Sequence, residues 1–76
     1  MKLKTVKFED VKIGQKFIAG YYSGRDEYIR TTSTFVAGDR DPRIGINEPS
    51  YRYNAVCLSN GRQEYFDDDR LVRILA

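Results

Sequence analysis

The segment Tyr53-Asn54-Ala55-Val56-Cys57-Leu58-Ser59-Asn60-Gly61-Arg62-Gln63-Glu64-Tyr65-Phe66 constrains the fold more than any other part of the chain. Two short runs rich in apolar and aromatic residues flank Asn60-Gly61. A type I′ turn requires positive φ at both central residues, and Asn-Gly adopts that at little cost. The spacing therefore predicts a β-hairpin with strands over 51–58 and 62–66. Its register would set Ser59 opposite Arg62, Val56 opposite Tyr65 and Ala55 opposite Phe66. Alternation then gives one face to Val56, Leu58 and Tyr65, and the other to Tyr53, Ala55, Cys57 and Phe66. Both faces are largely apolar. A small domain has one core, so the second face needs a cover, from this chain or from another molecule.

The rest of the chain reads as further short strands between turn signals, with no helix periodicity, repeat or low-complexity tract. Glu9-Asp10-Val11-Lys12-Ile13-Gly14 predicts one tight helical turn closed by Gly14, with Phe8, Val11, Ile13 and Phe17 sealing one end of the core. Strands are expected over 15–22 and 27–34, joined by a turn at Ser23-Gly24-Arg25-Asp26. Asp67-Asp68-Asp69 predicts another turn, and Leu71-Val72-Arg73-Ile74-Leu75 a closing strand. Residues 37–50 carry two Gly, two Pro and alternating charges, which predicts one long irregular loop.

The chain has 76 residues, the size of a single domain with a thin core. Five antiparallel strands in that length leave exposed edges unless the sheet closes. The expected architecture is an all-β, five-stranded, SH3-like barrel spanning 1–76 with one long loop. A five-stranded OB-type barrel is the second choice; it normally needs a longer chain and a helix between strands.

Nucleophile–base chemistry finds no partners, because the chain has no His. Cys57, the sole cysteine, sits between Val56 and Leu58 and reads as a small buried hydrophobe; it excludes an internal disulfide. Asp67-Asp68-Asp69 and Asp39-Arg40-Asp41 lack the spacing of a calcium loop, and a zinc site lacks ligands. Gly38 and Gly45 do not make a phosphate-binding loop. The expectation is a non-enzyme without cofactor or metal. No segment has signal-peptide or membrane-span character, so a soluble cytoplasmic protein is expected.

Binding is left. The net charge is +2, with all five Lys at or before Lys16 and all eight Arg at or after Arg25. Tyr and Arg are the types enriched at protein interfaces. The loop offers Arg40, Arg43, Ile44 and Ile46 beside Pro42 and Pro49, and Tyr51 follows it. These five residues are the candidate protein-binding set, acting on a protein partner or a second copy of the chain. The alternative is a single-stranded nucleic-acid surface built from Tyr21, Tyr22, Tyr28, Arg25, Arg30 and Arg52. The near-neutral charge weighs against it, because counterion release needs a positive stripe.

Phe8-Glu9-Asp10-Val11-Lys12-Ile13-Gly14-Gln15-Lys16-Phe17 resembles the opening of small phage and prophage accessory proteins with an SH3-like small barrel. Asn54-Ala55-Val56-Cys57-Leu58-Ser59-Asn60-Gly61 and Phe66-Asp67-Asp68-Asp69 resemble their closing half. The resemblance implies a small-barrel protein acting inside a bacterial host by binding a host protein, and implies no catalytic residue.

Overall fold

The computed structural model describes residues 2–19 and 26–75, and these are all-β. The strands are β1 (Leu3–Lys7), β2 (Lys16–Ala19), β3 (Asp26–Val36), β4 (Arg40–Asp41), β5 (Ile46–Asn47), β6 (Tyr51–Cys57), β7 (Gln63–Glu64) and β8 (Leu71–Leu75). One 3-10 turn, Phe8–Asp10, follows β1. Six strands form one antiparallel sheet in the order β1-β8-β2-β3-β6-β7, and β4 with β5 forms a separate ribbon. The antiparallel all-β class is therefore as the sequence reads. Among the described residues the main sheet has six strands rather than the five expected, because residues 3–7 pair along their whole length with β8, Leu3 opposite Leu75 and Val6 opposite Val72. Among the described residues β1 and β7 do not pair, so the sheet is open rather than a closed ring. The expected turn at 23–26 and the end of the strand expected over 15–22 lie mostly outside the described residues.

Four aromatic rings fill the core. Phe8, Phe17, Tyr28 and Phe66 are each at most 3% exposed. Phe66 lies 5.4 Å from Phe8, 5.2 Å from Phe17 and 5.2 Å from Tyr28, centroid to centroid. β6 meets this cluster with its small residues: Cys57 pairs with Tyr28, and Ala55 is fully buried. Each fully buried ring contributes roughly 1.5–3 kcal/mol. Val11, Ala19 and Val72 complete the core. The chain between β7 and β8 crosses the end of the sheet beneath the 3-10 turn. There Phe8 N–H donates to Arg70 O (2.8 Å) and Glu9 N–H to Asp68 O (3.0 Å). The acidic turn thus works through main-chain carbonyls.

Two expectations near this end need correction. The turn after Phe8 is not one unit closed by Gly14. The 3-10 turn stops at Asp10, and a second turn follows, with Gln15 N–H donating to Lys12 O and Gly14 at φ +86°. That second turn throws Ile13 outward, 63% exposed, so Ile13 seals nothing. The hairpin register also differs. Ala55 pairs with Glu64 and Val56 with Gln63, two places from the Asn-Gly expectation. Among the described residues only glycines have positive φ, so Asn60 cannot serve a type I′ turn. Instead Gly61 N–H donates to Cys57 O and Cys57 N–H to Arg62 O, closing a wider loop, and the Asn60 side chain accepts from Arg62 N–H. A shift of two places preserves side-chain alternation, so the faces survive. Ala55, Cys57 and Phe66 are the core face, while Leu58 (45%) and Tyr65 (52%) stay exposed.

Candidate functional site: a projecting arm

β3 is eleven residues long, and β2 covers only its first part. Beyond that point β3 and β6 continue as a two-stranded ribbon. The register shifts between Arg30 and Thr34, where the β3 side carries extra residues. Bulges of this kind bend and twist a ribbon. The Thr31 and Thr34 hydroxyls both donate to Thr32 O there (3.2 and 3.1 Å). Past the bulge Thr34, Phe35 and Val36 pair with Tyr53, Arg52 and Tyr51. The segment expected to be irregular, 37–50, continues the projection as a hairpin of β4 and β5 closed by a turn at 42–45. Its two strands suit the site because Pro42 and Gly45 fall in the turn, Gly45 at φ +75°. Pro49 lies beyond β5. The molecule measures 54 × 21 × 18 Å, with a radius of gyration of 14.9 Å, against about 11 Å for a compact chain of this length.

Gly38 fixes the arm's waist. A Cβ there would overlap Glu48 O and lie 2.6 Å from Pro49 C and Ser50 N, all backbone atoms. The close approach lets Gly38 N–H donate to Ser50 Oγ (2.8 Å) and Glu48 N–H to Asp39 O (2.7 Å).

Two surfaces lie on the arm. At its base Phe35 (56% exposed), Tyr51 (46%) and Tyr65 line a cleft of about 540 Å³ with Ser50 and Arg52. The Arg52 guanidinium sits 5.4 Å from the centre of the Phe35 ring, and Tyr51 Oη donates to Gln63 Oε1 at 2.7 Å, which fixes the ring. At the tip Ile44 is 68% exposed, and Arg40, Pro42, Ile46 and Asn47 border a smaller hollow of about 350 Å³. The Arg43 and Asp41 side chains pair at 3.4 Å. Of the candidate protein-binding residues, Arg40, Arg43, Ile44 and Ile46 therefore share the tip, and Tyr51 stands apart at the base. Ile44 does not fold back over the sheet.

The nucleic-acid set does not converge. Tyr21, Tyr22 and Arg25 lie outside the described residues. Tyr28 is buried, and burial, reinforced by its hydrogen bond to Glu64, pushes its pKa up to about 12. Its ring has no face to offer a base. Arg30 is committed within the fold: Nη1 donates to Phe8 O (2.9 Å), Glu9 O (3.2 Å) and Val11 O, and the guanidinium lies 4.6 Å from the centre of the Phe8 ring. It ties β3 to the carbonyls of the 3-10 turn. Arg52 alone of the described members is exposed. Cys57 is buried, 3.2 Å from Ser59 Oγ. No group of three or more metal-ligating side chains clusters among the described residues.

Tyr65 lies on the hairpin face that alternation marks as needing a cover, and Phe35 is the member of the site outside every candidate set. Phe35 carried a usable signal. It is followed directly by Val36, and two adjacent large apolar residues in one strand cannot both face one core. Tyr65 stands next to Phe66 in the same way. No family model, curated protein or solved structure matches the chain.

Proposed function

We propose that this chain is a non-enzymatic protein-binding module that engages its partner with the projecting arm. In the phage-type reading, that partner is a host protein. The observation that carries the proposal is that Phe35, Ile44 and Tyr51 stand exposed along the arm, with Tyr65 beside its base, while Leu3, Ile13, Leu58, Leu71 and Leu75 are exposed on the body. Exposed apolar patches mark interaction sites, and Tyr with Arg is the composition of interface anchors. The bulged ribbon and the close-packed waist at Gly38 hold these residues away from the body, which lowers the ordering cost of binding. An SH3-like curl of the sheet belongs to the same reading, supported by rings from four separate segments meeting in one cluster.

The test is affinity capture from bacterial lysate with the full chain and with Arg43→Ala plus Ile44→Ala, each with and without nuclease. Loss of a nuclease-resistant partner in the double variant is the expected result. Equal capture by both forms refutes the arm as the binding element. Capture that disappears with nuclease and weakens steeply with salt moves the function to nucleic acid.

A further inference from the structure

We infer that Asn60 is a deamidation site that the folded loop holds in check, and that its isoaspartyl product displaces β7 at the base of the arm. The inference is independent of the arm's role in binding.

The chain has three asparagines, and only Asn60 precedes a glycine. Asparagine is chemically labile because the next main-chain nitrogen can attack its side-chain carbonyl carbon. A Cβ on the following residue hinders that approach, and Gly61 has none. Asn47 is followed by Glu48, while Asn54 is buried and followed by Ala55. Asn60 and Gly61 are both exposed to water. Hydroxide removes the proton from Gly61 N, and the nitrogen bonds Asn60 Cγ. The Cγ–Nδ2 bond breaks, and Nδ2 leaves as ammonia with a proton from water. Water then opens the cyclic imide. Cleavage between Cγ and the Gly61 nitrogen gives aspartate. Cleavage between the Asn60 carbonyl carbon and that nitrogen gives isoaspartate, whose main chain runs through the former side chain.

The folded loop ties both reacting groups. Gly61 N–H donates to Cys57 O, and Asn60 Oδ1 accepts from Arg62 N–H, each at 2.8 Å. An amide proton engaged in a hydrogen bond is harder to remove. Cys57 N–H donating to Arg62 O (2.8 Å) and Leu58 N–H donating to Glu27 O (2.9 Å) keep the same loop closed. The nitrogen therefore reacts when the loop opens locally, which requires the Gly61–Cys57 bond to break.

The two products differ in what they do to β7. Aspartate keeps the main-chain length and an acceptor for Arg62 N–H. Isoaspartate adds one carbon to the main chain between Cys57 and Arg62, so the two bonds that close the loop cannot both keep their geometry. β7 (Gln63–Glu64) begins directly after Arg62 and pairs only with Ala55 and Val56 of β6. Gln63 Oε1 accepts from Tyr51 Oη at 2.7 Å, so a displaced β7 reaches the aromatic residues at the base of the arm.

Incubation of the full chain at mildly alkaline pH, folded and unfolded in concentrated urea, tests the inference. Products are read by mass, by peptide mapping and by enzymatic methyl transfer to isoaspartate. Asn60 should be the site modified in the unfolded chain, and the folded chain should react there at least about tenfold more slowly, since several hydrogen bonds must open together. That slowing should match the hydrogen-exchange protection of Gly61 N–H within about threefold, because one opening exposes the same nitrogen to both reactions. Asn60→Gln should remove the product, the longer side chain closing its ring far more slowly. After refolding and chromatographic separation, the isoaspartyl form should show shifted amide signals for Tyr51, Gln63 and Glu64. The aspartyl form should show shifts confined to the loop. Equal rates in the folded and unfolded chains, no product at residue 60 in either, or slowing with an unprotected Gly61 N–H overturns the inference. An isoaspartyl form whose Tyr51, Gln63 and Glu64 signals match the unmodified chain overturns the coupling to β7.

Discussion

Asn54→Ala and Asn54→Asp together test how the chain is tied across the end of the sheet. Asn54 is 6% exposed, and its side chain meets the Phe66 main chain twice: Phe66 N–H donates to Oδ1 and Nδ2 donates to Phe66 O, both at 2.9 Å. Those two bonds hold Phe66 in the middle of the aromatic cluster. Alanine leaves a buried donor and a buried acceptor without partners, at about 1–3 kcal/mol each, for a loss of about 2–4 kcal/mol. A domain of this size has a total of roughly 4–11 kcal/mol, so the variant should melt about 10–20 °C lower. Aspartate separates the two bonds by pH. Ionised, it still accepts from Phe66 N–H but sets a buried charge against Phe66 O, so its folded-state pKa lies above the unfolded value of about 3.9. Protonated, it presents one acceptor and one O–H donor, as asparagine does. Below about pH 3.9 the Asp variant should therefore approach wild type. Its deficit should grow as pH rises through that value and level off above the raised folded pKa. The Ala deficit should not change with pH. Urea unfolding followed by circular dichroism, each variant compared with wild type at the same pH, reads both quantities. An Ala loss under about 1 kcal/mol, or an Asp deficit that does not depend on pH, refutes the two-bond account.

Three further outcomes follow from the same structure. Arg30→Lys should cost about 1–3 kcal/mol in urea unfolding, because the ammonium ends one atom short of Nη1 and brings no planar group to cover the Phe8 ring; stability equal to wild type would show that a point charge suffices. Tyr28 keeps its proton to about pH 12 in the folded state while the unfolded chain loses it near 10, so stability should fall as pH rises from about 10 to 12. The ultraviolet tyrosinate titration should show a late step that Tyr28→Phe removes, and its persistence in that variant would assign the step elsewhere. Gly38→Ala should displace the arm, since the new methyl meets only backbone; amide chemical shifts should move across 37–51 while those of β1, β2 and β8 stay, and shifts confined to residue 38 would show that the waist yields without cost.

The hairpin at Asn60-Gly61 shows why the sequence reached the fold class and stopped short of the register. Alternation has period two, so the two faces were legible from spacing alone and survive a two-place slip. The loop is wider than Asn-Gly spacing predicts because its length is set by tertiary bonds: Leu58 N–H donates to Glu27 O, which holds the chain beyond β6 against β3. Ile13 was misplaced for a related reason, since the second turn is held by Gly14 N–H donating to Arg30 O, a residue distant in sequence. Asn54 carried a faint signal, being a poor strand former in the middle of a strand. Its partner could not be known without the crossing segment.

The binding residues divide along the same line. Arg40, Arg43, Ile44 and Ile46 were legible as a group because they lie within one loop, and proximity in sequence ensures proximity in space. Residue types and alternation by themselves determined an all-β antiparallel chain, its apolar faces and its lack of His-dependent chemistry, since these depend on local backbone sterics and side-chain chemistry. Whether the sheet closes, which face is core, and that 37–50 stands out as an arm rather than lying over the sheet were decided by tertiary structure. Those outcomes depend on the bulge at 30–34, on the Gly38 contact with 48–50, and on where β2 stops covering β3. Each is a meeting of segments far apart in the chain, and no local spacing encodes it.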